Sequence, residues 1–269
     1  MCVRKDAGYI MKISAVIITL NEEGNIARCL DSLKNVADEI IILDSFSQDN
    51  TERIARAYGV KFIKKAWEDF SRSKNFANEQ ATNDYILSVD ADEALSDELV
   101  SAIMDLKKGE VLDGYVVNRR TSYCGKWIRH CGWYPDKKLR LWNKKKGGWE
   151  GAIHEHVQLL PGAKIKGLKG DLLHFAFNSI SEHIETANRY SEIAAKDALM
   201  RGRKAGLIKD VILNPLAIFL RKYFLQLGFL DGYHGYVICR ISAFANFLKY
   251  SKLRSMIKNR SGYQDRGKV

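Results

Sequence analysis

The sequence predicts an α/β fold in which a mostly parallel sheet is flanked by helices. Over residues 13–89, short apolar runs alternate with segments of helical periodicity, and three of the four runs end on polar or acidic residues. Strands that alternate with helices of about ten residues imply right-handed crossovers and a parallel sheet. The carboxyl ends of such strands share one edge, where open α/β sheets bind ligands. We therefore predict a binding site at that edge.

Four strands are predicted in the first third of the chain, at residues 13–20, 39–43, 60–63 and 85–89. The first is a continuous apolar run rather than an alternating one, which indicates a strand covered on both faces. The second closes on the carboxylate of Asp44.

Three helices are predicted between these strands. Ile26, Leu30 and Leu33 recur at helical spacing, and the other two helices are expected at residues 51–58 and 72–80. Gly59, directly after the second helix, is typical of a helix C-terminus.

The pattern changes after residue 114. Shorter strands are predicted at residues 114–120, 139–142 and 158–160, followed by an amphipathic helix at residues 181–200. The aromatic side chains of the intervening loops are typical either of packing or of stacking on the faces of sugars.

The most informative stretch is the end of the fourth predicted strand, where an apolar run stops at Asp90, Asp92 and Glu93. Two carboxylates spaced i, i+2 can share a divalent cation, and that cation can hold a diphosphate. A solvated acidic loop is the alternative, but the position after a strand favours a ligand site.

The five cysteines are an odd number without a Cys-x-x-Cys pair, which indicates reduced thiols in a cytosolic compartment. Cys124, His130 and Cys131 lack a fourth ligand at metal spacing, so the sequence does not predict a zinc site.

No signal-peptide pattern and no run of 18 uncharged apolar residues occurs. A cytoplasmic location is therefore expected.

The excess positive charge lies in the last quarter of the chain. Residues 201–269 contain 14 lysines and arginines and three aspartates, so they carry the whole net charge of +11. Two apolar segments, 211–230 and 233–248, are interrupted by cations, which is typical of helices lying on an anionic bilayer. Two ordinary helices packed on the sheet are the alternative.

We expect an α/β domain over residues 11–200 and a basic helical tail over 201–269.

Three segments resemble, in the right order, family 2 glycosyltransferases, which have the Rossmann-like, nucleotide-sugar-binding fold called GT-A. They are ISAVIITLNEEGNI, EIIILDSFSQDNT and DYILSVDADE, and the resemblance covers about residues 11–180. GWYPDKKLRLWNKK, GAIHEHV and LLHFAF are similar to the subgroup that extends the lipopolysaccharide inner core. The resemblance implies an inverting transfer of a sugar, expected to be a hexose, from a UDP-linked donor to a membrane-borne acceptor. It also implies a peripheral location on the inner face of the cytoplasmic membrane.

The resemblance assigns the nucleotide-sugar to one set of residues. These are Thr19, Asn21, Glu22, Asp44, Arg72, Lys74, Asp90 and Ala91. Asp44 is expected to accept a hydrogen bond from the uracil ring, and Asp90 to contact ribose or a metal-bound water. Arg72 and Lys74 are expected to meet phosphate oxygens as charge-assisted donors, or else to lie on a solvated helix face.

The resemblance also implies a divalent cation, Mg²⁺ or Mn²⁺, bound by Asp92 and His174. A packed histidine in an apolar strand is the alternative for His174. Glu155, in the pair His154-Glu155, resembles the family's late acidic position and is the candidate general base.

Two other classes of protein are the alternatives. A sugar-phosphate nucleotidyltransferase would need a glycine-rich phosphate loop after the first strand, where only Gly24 is present. A non-enzymatic, basic membrane- or nucleic-acid-binding protein fits the charge of the tail. However, the tail lacks a nucleic-acid-binding signature, so no nucleic-acid partner is expected.

Overall fold

The computed structural model describes residues 11–109, 111–151 and 155–266. The chain forms two compact units, an α/β unit (residues 1–120 and 136–175) and a helical unit (residues 121–135 and 176–269). The chain passes between the two units after residues 120, 135 and 175, whereas the predicted domain boundary at residue 200 lies inside the helical unit. The functional division into residues 11–200 and 201–269 stays a prediction.

The first part of the α/β unit contains the four strands and three helices predicted from the sequence. They are β1 (Ile13–Thr19), α1 (Ile26–Leu33), β2 (Glu39–Asp44), α2 (Thr51–Arg56), β3 (Lys61–Lys64), α3 (Phe70–Glu79) and β4 (Tyr85–Ser88). β1 pairs in parallel with both β2 and β4, and β2 pairs in parallel with β3. The parallel arrangement predicted for these strands is confirmed.

Antiparallel pairs follow in the rest of the sheet. The following elements are β5 (Glu93–Leu95), α4 (Asp97–Leu106), β6 (Gly114–Tyr123), β7 (Lys126–Trp127), β8 (Asp136–Asn143), β9 (Gly147–Glu150), β10 (His156–Leu159) and β11 (Ile165–Phe177). The strand order is β3-β2-β1-β4-β8-β6-β11-β5, and β8 runs antiparallel to both β4 and β6. β9 and β10 form a separate two-stranded sheet. The sheet, which was predicted to be mostly parallel, is therefore mixed: β1 to β4 pair in parallel, and antiparallel strands extend it.

Both faces of the sheet are covered by apolar clusters, and β1 contributes to both. Ala15 and Ile17 belong to one cluster with Leu30 of α1, whereas Val16 belongs to the other with Trp142. Each of these side chains is at most 1% exposed, and burying a large apolar side chain contributes about 1.5–3 kcal/mol. Burial on both faces explains the continuous apolar run of β1.

The edge beyond β1 and β2 is held by hydrogen bonds between their following loops. Asn21, at a φ of +56°, donates its N–H to the Ser47 hydroxyl at 2.8 Å. Its side-chain oxygen accepts from the Gln48 N–H at 2.8 Å. Because Thr19 and Asp44 are neighbours in the parallel ladder, the two loops leave the sheet side by side.

The helical unit contains α5 (Ile180–Met200), α6 (Asn214–Leu220) and α7 (Gly232–Arg266). Two π-helical segments, Leu207–Leu213 and Arg221–Leu225, flank α6. α7 packs against α5 and buries Tyr250 and Leu253 with Ala195 and Ala198. The predicted segment 233–248 is part of α7, and its Ile238 and Cys239 are buried in a cluster with Tyr123 of β6.

Cys29, Cys124, Cys131 and Cys239 are free thiols, and Cys2 lies outside the described residues. Within the described ranges, no helix is both long enough and apolar enough to cross a membrane.

Candidate active site

A cluster of four charged side chains, three buried and one partly exposed, lies where β4 ends, and we call it the charge cluster. Its members are Lys74 of α3, Asp90, Glu93 and Arg140 of β8. One carboxylate oxygen of Asp90 lies 2.9 Å from Lys74 Nζ, and the other accepts from Arg140 Nη2 at 2.9 Å. The same Nη2 donates to Glu93 at 2.9 Å. Two cations and two carboxylates thus satisfy one another inside the protein.

The pKa values in the charge cluster follow from burial and from its ion pairs. Burial alone would raise the pKa of Asp90, but Arg140 and Lys74 hold that pKa well below its usual range. Glu93 differs, because burial raises its pKa and the nearby Asp90 raises it further, against the lowering effect of Arg140. For Arg140, burial would lower the pKa, but Glu93 and Asp90 raise it above its ordinary value. Asp90 is therefore a fixed anion.

Arg140 reaches the charge cluster from a β-bulge. Tyr115 of β6 pairs with Leu141 and Val116 pairs with Leu139, so Arg140 is the extra residue on β8. A bulge re-aims a side chain at a sheet position that regular alternation would not provide. Arg140 was not predicted from the sequence, although a lone arginine between two leucines of a predicted strand was a usable signal.

The two predicted metal ligands lie together. Asp92 Oδ2 is 3.2 Å from His174 Nε2, and both side chains are partly exposed. His174 is held in register opposite Glu93 by the pairing of β11 with β5, and the Phe175 N–H donates to the Asp92 carbonyl at 2.9 Å. A carboxylate oxygen and an imidazole nitrogen at this separation fit adjacent positions around Mg²⁺ or Mn²⁺. Among the residues described, no group of three or more His, Cys, Asp or Glu side chains could hold a metal.

The residues predicted to hold the nucleotide lie along the edge of β1 and β2. Asp44 is fully buried, and its two oxygens accept from the backbone N–H and the hydroxyl of Ser47. Thr19 is 5% exposed, and its hydroxyl has no hydrogen-bond partner in the described part of the chain. Burial raises the pKa of Glu22, which Asn25 lowers in part and the carboxylate of Asp92 raises again. The Glu22 carboxylate is therefore close enough to Asp92 and Asp90 for their negative charges to raise its pKa.

Lys74 and Arg72 both lie on α3, but they differ sharply in solvent exposure. Lys74 is 2% exposed, so it does not lie on a solvated helix face, and its contact with phosphate stays a prediction. Its ammonium is committed to Asp90 and lies 4.3 Å from the centre of the Trp149 ring. Arg72 is largely exposed and pairs with Asp69, the residue that caps α3. Ala91 is buried between Asp90 and Asp92.

Glu155 lies on the same side of the site as Asp90. Its carboxylate is 3.7 Å from Lys74 Nζ, and about a quarter of the side chain is exposed. Lys74 therefore bridges the first aspartate of the motif and the predicted base. His154, the preceding residue, lies outside the described residues.

Beside the charge cluster lies a cavity of about 380 Å³, which we call the basic cavity. Asp90, Glu155, Trp149 and Arg140 line one part of it, and Arg119, Lys137 and Lys138 line another. Trp149 also packs edge-on against Trp142 at 6.0 Å, so it has a structural role.

Comparison with known proteins identifies the family to which this protein belongs. Residues 14–156 match the family described as Glycosyl transferase family 2. The chain therefore belongs to family 2 of the glycosyltransferases, and its mixed sheet flanked by helices is the GT-A arrangement.

Two curated relatives span almost the whole chain. An uncharacterized glycosyltransferase of Rickettsia typhi is 35% identical over 262 residues, which cover 93% of this chain and 89% of that protein. The lipopolysaccharide core biosynthesis glycosyltransferase LpsC of Rhizobium meliloti is 29% identical and covers 95% of this chain and 97% of that protein. The family membership favours a glycosyltransferase over the two alternative classes.

Solved structures are more distant. S. aureus TarS has a TM-score of 0.44 and 16% identity, over 81% of this chain and 45% of that one. Glucosyl-3-phosphoglycerate synthase of Mycobacterium tuberculosis, in complex with Mn²⁺, UDP and glucosyl-3-phosphoglycerate, has a TM-score of 0.33 and 25% identity, over 42% of this chain and 44% of that one.

Replacing Asp90 by asparagine is expected to lower the free energy of unfolding by about 3–5 kcal/mol at pH 7, because two buried cations lose a charged partner. The folded-state pKa of Asp90 lies below its unfolded value of about 3.9, so its carboxylate stabilises the fold above that pH. This contribution is lost as the pH falls through about 4 toward the folded pKa. The difference between wild type and Asp90→Asn should therefore stay constant from pH 7 to pH 5 and shrink below about pH 4, as measured by urea unfolding at pH 7, 5 and 3.

Asp84→Asn is the matched control, because Asp84 pairs at 2.8 Å with the exposed Lys145. A surface pair contributes about 0–1 kcal/mol. An Asp90→Asn effect that is as small as the control, or that is constant from pH 7 to pH 3, would contradict the assignment of Asp90 as the ionised centre of the cluster.

Proposed function

We propose that this glycosyltransferase is metal-dependent and inverting, and that it moves a hexose from a UDP-linked donor to a membrane-borne glycan such as lipopolysaccharide core. The observation that carries the proposal is the Asp92–His174 pair at 3.2 Å, beside the charge cluster, whose Lys74 lies 3.7 Å from Glu155. The name of the relative LpsC supports the class of acceptor.

Asp92 and His174 are the residues that would hold Mg²⁺ or Mn²⁺. When bound, the cation would stabilise the negative charge that develops on the departing diphosphate, which is worth several kcal/mol. Asp90 is held rigidly by Lys74 and Arg140, so the backbone from Asp90 to Asp92 has a fixed course toward the donor. Thr19, Asn21, Glu22 and Asp44 are proposed to bind the nucleoside, with Arg72 reaching the phosphates. For Asp44 to read the base, Ser47 must release one carboxylate oxygen.

Glu155 is proposed as the general base. The acceptor hydroxyl oxygen attacks the anomeric carbon, its proton passes to the Glu155 carboxylate, and the bond from the anomeric carbon to the diphosphate oxygen breaks. A single displacement of this kind inverts the anomeric configuration. Lys74 contacts both Glu155 and Asp90, so it positions the base relative to the donor side of the site. Base catalysis typically contributes about 10²–10⁴-fold in rate.

The membrane contact is proposed to lie in the helical unit. Eight apolar side chains between residues 207 and 230 are each more than half exposed: Leu207, Ile208, Ile212, Leu213, Leu216, Phe224, Leu225 and Leu230. The exposed cations Lys209 and Arg221 lie in the same stretch. Soluble proteins rarely expose so much apolar surface without a partner, and apolar side chains with flanking cations suit an anionic bilayer. The enzyme is proposed to act peripherally at the inner face of the cytoplasmic membrane.

Asp92→Ala is expected to abolish the stimulation of nucleoside diphosphate release by Mg²⁺ or Mn²⁺, because one of the two protein ligands is lost. Release should be measured with a panel of nucleotide sugars, with and without the cation. Asp105→Ala, at an exposed position of α4, is the control and should behave like wild type. Metal-stimulated release that persists in Asp92→Ala would refute the metal assignment.

Glu155→Gln is expected to lower kcat by about 10²-fold or more while leaving the affinity for the donor nucleotide unchanged, because only proton transfer is lost. Turnover and equilibrium binding of UDP with Mn²⁺ should be measured on the same samples. Glu150→Gln changes an exposed carboxylate nearby and serves as the control. Normal turnover in Glu155→Gln would rule out Glu155 as the base.

A triple variant, Leu213→Ser, Leu216→Ser and Phe224→Ser, is expected to weaken binding to anionic phosphatidylglycerol vesicles by about tenfold or more, because apolar area is lost from the contact. Co-sedimentation measures the bound fraction. The control changes three exposed side chains of α5, as Ile184→Ser, Tyr190→Ser and Ile193→Ser. If both triple variants bind like wild type, the proposed membrane surface is wrong.

A further inference from the structure

The basic cavity has a composition that the transfer reaction alone does not require. Four cationic side chains line it, from Arg119, Lys137, Lys138 and Arg140, against the two carboxylates of Asp90 and Glu155. Neutral sugar hydroxyls are usually bound by polar side chains without net charge, whereas phosphates and carboxylates are bound by arginine and lysine. The lining therefore favours an anion.

Arg140 supplies a second and independent indication. Its side chain is 4% exposed, and its Nε and Nη1 are buried without a hydrogen-bond partner among the described residues. Only Nη2 is used by Asp90 and Glu93. Buried donors normally have partners, so the two remaining groups on a guanidinium that lines a cavity point to an acceptor supplied from outside the described protein atoms.

The other cations are only partly neutralised by the protein. Asp136 binds Arg119 at 2.8 Å and Lys138 at 3.2 Å, so one carboxylate serves two cations. Arg119 also lies 3.5 Å from Glu93, which Arg140 already contacts. Lys137, on the same strand, is exposed. Positive charge therefore remains at the mouth of the cavity.

The position of the cavity assigns it to the acceptor rather than to the donor. It is lined by Glu155, the proposed base, which must touch the acceptor hydroxyl. Asp90, on the donor side, also lines it, but Asp92, His174 and Asp44, the residues proposed for the metal and the nucleotide, do not. Its volume of about 380 Å³ is near the lower end of the usual range for ligand pockets, about 300–1,000 Å³. This size suits one end of a glycan rather than the whole of it.

We infer that the basic cavity binds an oxyanion, a phosphate or a carboxylate, on the sugar acceptor, so that the enzyme selects an anionic glycan. This inference rests on the proposed function for the identity of the acceptor side. Arg140 and Arg119 contact the oxyanion from the sheet, and Lys137 and Lys138 attract it at the entrance. The same contacts hold the acceptor hydroxyl near Glu155.

Equilibrium binding to the full-length protein, without a donor, tests the inference. The probes are glucose 6-phosphate, glucuronate and glucose, titrated at constant ionic strength and pH 7.5 and followed by saturation-transfer NMR. We expect at least one anionic sugar to bind about tenfold or more tightly than glucose. The tighter of the two anionic probes identifies whether phosphate or carboxylate is the preferred group.

The variant Lys137→Ala/Lys138→Ala should weaken binding of the preferred probe by about tenfold. Lys145→Ala/Lys146→Ala removes the same charge from a turn whose lysines do not line the cavity, and its affinity should stay within about twofold of wild type. Neither pair is buried, so both variants are expected to fold.

Several results would overturn the inference: equal binding of glucose and the anionic sugars, no binding of any probe, or equal losses in the two double variants. Displacement of the sugar phosphate by UDP with Mg²⁺ would also overturn it, because the cavity would then belong to the donor. Release of nucleoside diphosphate from nucleotide sugars is measured in a separate assay, which tests the proposed function independently of the anion site. Its absence with every nucleotide sugar would refute the proposed function, whereas retained sugar-phosphate binding would leave the anion site in place.

Discussion

The ion pairs of Asp90 with Lys74 and Arg140 connect three separate parts of the α/β unit: α3, the end of β4 and β8. Buried charges are costly to desolvate, and they are tolerated only when their partners are well placed. The pairing thus requires α3 and β8 to keep their positions on either side of β4. Two candidate functional groups depend on that arrangement, because Asp92 follows Asp90 by two residues and Glu155 contacts the same lysine.

The local parts of the fold were predictable from the sequence. β1, β2 and β4 are apolar runs whose residues face covered surfaces on both sides, and the helices between them have clear periodicity. Asp92 and His174 were named together from the family resemblance, and the structure brings them to within 3.2 Å although they are far apart in sequence. The fold supports this pair by placing β11 beside β5.

The non-local parts were not predictable. The insertion of antiparallel β8 between β4 and β6 depends on pairing between distant segments, and no periodicity encodes it. For the same reason, the burial of Lys74 could not be derived. A lysine on a polar helix normally faces solvent, and here its partner Asp90 and the ring of Trp149 come from other strands and loops. The charges that matter most in the site are those whose partners are remote in sequence.

The β-bulge at Arg140 has a consequence for how such a site can arise and be lost. The neighbours Leu139 and Leu141 point into opposite apolar clusters, as consecutive residues of a regular strand would. The ladder between β6 and β8 therefore needs no residue between them. Inserting or deleting one codon at this point would add or remove a guanidinium beside Asp90 without shifting the apolar register of the strand. Within a lineage, one such step would change a donor of the basic cavity and the shared cation of Asp90 and Glu93 together, while the apolar register stayed the same.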